Sequence, residues 1–395
     1  MFKKIYKTIR ASWVKEVCPF CFETFRLKQT PFRCASQFDR CAPEPDPVLS
    51  MVWGEKTPNA KVLPTNNKFV TSLVCNDCGE RSYKRICPAC HQELPHTFGN
   101  YRNYIFAVIG ASGAGKSHYI PALIEQIKNQ VGQRMQMLLQ EVNDYTINRY
   151  RKHFYEPLYK QHKVIEGTQQ EDINARMPMT YTLTFTGNDF LNNSSIKKAV
   201  TISFFDTAGE NFKSDDTLSI VNKYIYRSNG ILLLLDPLQI DKVRDHLAFG
   251  ISISKNVEAT DIVSRIVKLI QLGCDLDSGK INKIPLALAL SKLDALKPLM
   301  PSQLQINVSP NPGSAFDKRD FEAVDAEVRS LIAQWDSEYL IHQVTTQFAT
   351  HGFFGLSALG STPDANGKIS NIIPHRVADP FLWLLYCNGL IKAYK

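Results

Sequence analysis

Beyond residue 100 the apolar positions come in short dense runs: Tyr104 to Ile109, Tyr181 to Thr186, Val200 to Phe205, Ile231 to Leu235, Leu286 to Leu290 and Phe353 to Leu356. Each has the length of a buried strand, and stretches with helical spacing separate most of them. This alternation predicts an α/β fold: a mostly parallel, six-stranded sheet with helices on both faces. The short link from Gly187 to Ala199 favours a hairpin between the second and third runs, which gives one antiparallel edge strand. A last helix is expected over Asp379 to Ile391, with Asp379 as its N-cap, Pro380 in the first helical position and Phe381, Leu384 and Leu385 facing the sheet.

Before residue 100 this periodicity gives way to cysteine and proline punctuation, including the Pro-dense run Ala42 to Val48. A boundary near Gly99 follows, with a small cysteine-rich domain over 1–99 and an α/β domain over 100–395. Eight of the ten cysteines fall in the first quarter of the chain, unlike the even spread of a disulfide-stapled domain. Cys75-Asn-Asp-Cys78 and Cys87-Pro-Ala-Cys90 together offer four thiolates for one tetrahedral zinc. Cys18-Pro-Phe-Cys21 with Cys34 and Cys41 then forms a second quartet, and an interleaved arrangement, with Cys18 and Cys21 sharing metal with a distant pair, stays open. His91 and His96 read as ordinary surface histidines. Neither quartet leaves the open position of a catalytic zinc, so the metal is expected to hold together a head too small for its own core. Cys274 and Cys387 stand alone and read as buried small hydrophobes.

Composition changes this picture little. With 395 residues, 44% of them apolar, the chain has the make-up of a soluble globular protein. The longest apolar runs, Gly230 to Leu235 and Pro285 to Leu290, fall well short of the roughly 20 residues that cross a bilayer. The first residues lack the apolar centre of a signal peptide, so a cytoplasmic protein is expected. The net charge of +8 is moderate, with a local excess in MFKKIYKTIR. A solvated, frayed end explains that stretch more simply than an amphipathic helix touching a partner, a membrane or nucleic acid. Between the knuckles Arg81, Lys84 and Arg85 form a modest cluster, without the basic and aromatic interleaving that favours nucleic acid.

The sharpest chemistry lies in Gly110-Ala-Ser-Gly-Ala-Gly-Lys116-Ser117, which matches the phosphate-loop pattern between a predicted strand and a predicted helix. Glycines let successive amides from Ser112, Gly113, Ala114 and Gly115 through to His118 turn toward phosphate oxygens, and the helix terminus adds a positive dipole. Lys116 reaches the terminal phosphates and Ser117 offers a hydroxyl to magnesium. An empty glycine-rich turn is the poorer explanation in that context. Asp206-Thr-Ala-Gly209 follows a strand, and has the form of a loop whose aspartate reaches magnesium through water and whose glycine amide senses the terminal phosphate. Ser291-Lys292-Leu293-Asp294 closes another strand, where a carboxylate accepts the paired N1 and N2 hydrogens of guanine and the lysine stem covers the ring. Adenine offers no such pair of donors. Ser357-Ala358-Leu359 ends the last strand and can offer backbone N–H to guanine O6.

These four motifs, in this order, resemble those of the Ras-like (TRAFAC) P-loop GTPases from Tyr104 to the C-terminal helix. Joined to a cysteine-rich head, they are similar to the bacterial double-GTPase family, whose members are associated with multi-gene conflict or defence systems. The resemblance implies GTP and GDP with Mg²⁺ as ligands, Zn²⁺ in the head, and a protein partner reached through the head or the switch loops. It leaves the oligomeric state open. Two departures stand out: Ser291 occupies the place of an Asn or Thr, and Glu210 that of the water-orienting glutamine, so hydrolysis is expected to be slow or partner-dependent.

The first switch falls in the long segment Val131 to Pro178, where Thr168 and Thr180 are both placed to sense magnesium. Tyr145, Arg149, Tyr150, His153 and Phe154 recur there at helical spacing, and a packed helix is a better account of them than a catalytic one. Arg176 resembles the internal arginine of heterotrimeric G-protein α subunits, with the spacing to Thr180 changed by one. The sequence thus predicts a GTP-hydrolysing switch. An ATPase of the same core and a nucleotide-binding scaffold with negligible hydrolysis are its alternatives.

Overall fold

The computed structural model describes residues 13–36, 40–99, 103–165, 177–188, 194–204, 219–247, 258–274, 282–310, 313–335, 338–364 and 366–394. Among the described residues seven strands build the α/β part: β1 (Phe106–Gly110), β2 (Met137–Glu141), β3 (Met179–Asn188), β4 (Ser194–Phe204), β5 (Gly230–Leu235), β6 (Leu286–Leu290) and β7 (His351–Gly355). Four of them form a parallel sheet in the order β7-β6-β5-β1, with Ile231 opposite both Ala107 and Leu286.

Alternation along each strand splits the core in two. Phe106, Val108, Leu232, Leu234, Ala287 and Ala289 face the helices Lys116–Gln126 and Asp379–Cys387. Ala107, Ile109, Ile231, Leu233, Leu286 and Leu288 face Ile220–Tyr226, Ala259–Gly273, Lys318–Gln334 and Glu338–Gln347. Both faces are covered, which is why these strands read as unbroken apolar runs. The last helix buries Phe381, Leu384 and Leu385 as expected, but it ends at Cys387. Ala378 holds its N-cap position, because the Asp379 carboxylate turns to Arg376 at 2.7 Å instead of capping.

The expected six-stranded sheet with one antiparallel edge strand is not what forms. β4, β3 and β2 make a separate three-stranded antiparallel sheet. Its outer strand β2 lies in the stretch that the sequence assigned to the long switch segment; Met137 and Leu139 point inward, while Leu138 and Gln140 are exposed. The reason for the break lies between β1 and β4, where the Tyr224 hydroxyl occupies the seam. It accepts from Val108 N at 3.1 Å and lies 2.9 Å from Phe106 O and 2.8 Å from Ser203 O. Backbone groups that would otherwise pair directly are bridged by one phenol. Behind β2, a helix at Asp144–Tyr150 runs on to Lys160 and packs Tyr150 and Phe154 into the core, so this segment is a packed helix.

The cysteine-rich part docks on this seam. Ser203 Oγ donates to Pro19 O at 2.7 Å, the Phe22 ring lies 5.0 Å from that of Tyr224, and Lys223 pairs with Glu23 at 2.6 Å. Phe22 belongs to the core behind β1 and β5. The two cysteines outside the head differ from expectation: Cys274 is exposed and Cys387 only half-buried.

Candidate functional site

All four parallel strands end on one edge, and the loops that leave them meet there. After β1 the chain must reverse within five residues into the helix Lys116–Gln126. It does so through Gly113 at φ 77° and Gly115 at φ 88°, backbone angles that a side chain would strain. Lys116 is buried, and its Nζ donates back to the loop carbonyls of Gly110 at 2.8 Å and Ala111 at 3.0 Å. Its ammonium is therefore held against the inside of this turn.

A cavity of about 440 Å³ opens over this turn. Ser112, Gly113, Gly115, Lys116, Ser117 and His118 line one side; Ser291, Lys292 and Asp294 after β6, and Ser357, Ala358 and Leu359 after β7, line the other. Gly110 and Ala114 lie behind this wall, Ala114 fully buried; a side chain at Gly110 would run into the Leu234 carbonyl. Three stretches far apart in sequence thus meet around one space of ligand size, at the carboxyl ends of the strands.

The end of the cavity lined by residues 291–294 and 357–359 is preset by hydrogen bonds. The Ser357 hydroxyl donates to Asp294 Oδ1 and accepts from Gly360 N at 2.9 Å. Lys292 adopts a left-handed conformation, φ 52°, and its Nζ pairs with Asp236 Oδ2 at 2.6 Å. Ser291 is buried; its hydroxyl donates to Leu235 O at 3.1 Å. Asp236 was missed by sequence reasoning, and its only signal was a carboxylate directly after the strand Gly230–Leu235.

His118 closes the opposite wall. Its Nε2 accepts from Ile165 N at 3.0 Å, which places the ring proton on Nδ1, and Val164 and Ile165 join it in the lining. Burial, with Lys292 nearby, pushes its pKa down to about 4. A neutral imidazole thus pins this lip of the cavity.

Of the residues expected to hold magnesium, Ser117 lines the cavity beside Lys116. Thr180 is not brought there. It lies at the start of β3, fully buried, with its hydroxyl donating to Pro178 O at 3.4 Å. Thr168, Arg176, Asp206, Gly209 and Glu210 lie outside the described residues.

The eight head cysteines form two quartets, one nested inside the other along the chain. Cys18 and Cys21 join Cys87 and Cys90; Cys34 and Cys41 join Cys75 and Cys78. The sequential pairing of Cys75 to Cys90 is therefore corrected: a nearer knuckle in sequence is not the nearer one in space. Within the quartets, Cys18 to Cys90 and Cys21 to Cys87 stand 3.8 Å apart and Cys34 to Cys78 3.5 Å. A tetrahedron of 2.3 Å zinc–sulfur bonds has edges of about 3.8 Å, so both donor sets fit zinc. The same turn recurs at each Cys-x-x-Cys: the residue after the second cysteine is left-handed, Phe22 at φ 59°, Gly79 at φ 74° and His91 at φ 56°. Its amide returns to the first cysteine's carbonyl at 2.9 to 3.1 Å. Burial pushes Cys18 and Cys90 well up, whereas hydrogen bonds from Cys18, Cys87 and Cys90 hold Cys21 far below the ordinary thiol range. His91 is no ligand; its Nδ1 meets the buried Asp46 carboxylate at 2.9 Å, which also accepts from Arg33.

No helix among the described residues is long and apolar enough to cross a membrane. No family model matches the chain. It is 24% identical over 328 residues to a Mycolicibacterium smegmatis protein provisionally named ESX-1 scaffolding and assembly protein SaeC, across 78% of this chain and 80% of that one. Among solved structures it overlaps the signal recognition particle receptor SRb-GTP/SRX complex from Chaetomium thermophilum at 12% identity, over 67% of this chain and 94% of that chain. The TM-score of 0.27 is too low to establish a shared fold.

Proposed function

We propose that the protein is a guanine-nucleotide-binding switch of the P-loop GTPase type, with two structural zinc sites in its head. The observation that carries this reading is the convergence of the loop Gly110–Ser117, the carboxylate of Asp294 and the turn Ser357–Leu359 on one cavity of about 440 Å³. Phosphates would take the loop amides, the helix terminus and Lys116. Guanine would lie between the Lys292 stem and the 357–359 turn, with N1 and N2 donating to Asp294. Ser117 and Asp206 would hold magnesium, which would supply charge neutralisation for the phosphates. In this reading Glu210 orients the attacking water and Arg176 stabilises the transferred phosphoryl group.

The test is competition at the purified full-length chain. GTP and GDP are expected to displace a fluorescent guanine nucleotide far better than ATP. Asp294→Asn should weaken GTP about 30-fold, since about 2 kcal/mol of charge-assisted hydrogen bonding is lost, with ATP binding unaltered. Equal displacement by ATP in the wild type would replace this reading with an ATPase of the same core.

The similarity to a scaffolding and assembly protein favours a second reading, in which nucleotide orders a surface for protein partners and hydrolysis is negligible. Phosphate release measured in single turnover, with and without Glu210→Gln, separates the two. A rate indistinguishable from that of free GTP in both proteins leaves the scaffold.

A further inference from the structure

A continuous line of contacts joins one zinc quartet to the strand that carries the phosphate loop. Between Cys18 and Cys21, the Pro19 carbonyl accepts from Ser203 Oγ at 2.7 Å. Directly after Cys21, Phe22 is fully buried in a left-handed conformation and lies against Tyr224. Tyr224 in turn accepts from Val108 N, two residues before Gly110, where the loop begins. The other quartet is surrounded instead by Phe32, Leu63, Val70 and Leu73 of the head.

The hydroxyl of Tyr224 has one proton and two acceptors in range. Donated to Phe106 O, the proton binds the phenol wholly to β1; donated to Ser203 O, it bridges the two sheets. Both arrangements need the Tyr224 ring held in place, and the ring rests on Phe22. Phenylalanine disfavours the left-handed region, so the turn needs its cysteines fixed. Four thiolates closed on a metal fix it; released, the turn can relax and take Phe22 away.

We propose that Tyr224 is a positioning residue through which zinc at Cys18, Cys21, Cys87 and Cys90 and nucleotide at the phosphate loop stabilise each other, whereas zinc at the second quartet does not take part. The inference rests on the nucleotide reading of the cavity. Coupling of two binding sites is reciprocal, so it is readable from the metal side without any measurement of hydrolysis.

The experiment uses the full-length, zinc-loaded chain. Transfer of zinc to a chromogenic chelator is followed with and without GDP, alongside the affinity for a fluorescent GDP analogue. Two zinc ions per chain are expected, with GDP slowing the release of one by about fivefold or more. Tyr224→Phe keeps the ring and both metals, leaves the Val108 amide without its acceptor, and should weaken GDP binding severalfold while making both release rates indifferent to GDP. Ser203→Ala, which cuts the bond to Pro19, should reduce the same linkage and serves if the first variant folds poorly. Wild-type protein that binds GDP yet releases both zinc ions at unchanged rates overturns the proposal alone. So does a Tyr224→Phe variant that retains the linkage. A chain that binds no guanine nucleotide overturns the nucleotide reading, and this inference with it.

Discussion

Two residues show how much of the cavity is fixed by backbone and protonation. Gly115 sits at φ 88° with open space where a side chain would go, so Gly115→Ala meets no clash and pays only the left-handed backbone penalty. A loss of about 1–2 kcal/mol in urea unfolding is expected, with a larger loss of nucleotide affinity as the loop amides rotate. His118 makes a pH prediction. Its folded pKa of about 4 lies below the ordinary value of 6.5, so the unfolded chain takes up a proton first as the pH falls. Its contribution is complete above about pH 6.5 and is lost progressively toward pH 4. Between pH 7.5 and pH 5 the wild type should lose about 2 kcal/mol more stability than His118→Gln, whose amide oxygen can still accept from Ile165 N. Equal losses would show that the imidazole is solvated. The glycine signal was legible in the sequence because the loop pattern requires it. His118 was legible only as the residue after Ser117, since its partner Ile165 is 47 positions away.

At the scale of elements, the parallel strands were readable and the sheet they belong to was not. β1, β5, β6 and β7 are apolar runs buried on both faces, and the last helix declares itself through Pro380 and its apolar face. Leu384 of that helix is fully buried against Gly230 and the parallel sheet, and Leu384→Ala should cost about 3 kcal/mol in chemical unfolding, with the denaturant slope unchanged. A cost under 1 kcal/mol would mean that the helix does not close the core. The break between the sheets had no local signal, because it is made by a side chain some twenty residues beyond β4: Tyr224 reads as one more aromatic in an amphipathic helix until the fold brings its hydroxyl to Val108 and Ser203. β2 was hidden for a related reason. Met137 and Leu139 alternate correctly, but only over five residues and inside a stretch whose helical spacing is stronger.

For the whole molecule, the cysteine pairing decides how the head holds together. Knuckle spacing identified the ligands, yet spacing says nothing about which knuckles meet, and the answer comes from the docking of 18–22 on the seam. In this nested arrangement each metal would clamp a segment from the first half of the head to one from its second half, so the loops closed are long and the ordering achieved is greater than two local clips would give. Replacing Cys18 and Cys21 together by serine distinguishes the two pairings. With the nested pairing, the variant should retain one zinc, and Cys87 and Cys90 should become open to alkylation while Cys34, Cys41, Cys75 and Cys78 stay protected. Sequential pairing makes the opposite demand: Cys87 and Cys90 remain protected with Cys75 and Cys78, and Cys34 and Cys41 react instead. Mass mapping of the alkylated thiols in native protein reads the result directly, because the four reporter cysteines lie on different segments of the chain. Protection of Cys87 and Cys90 would separate the first quartet, and with it the Phe22 contact to Tyr224, from any metal that spans the head.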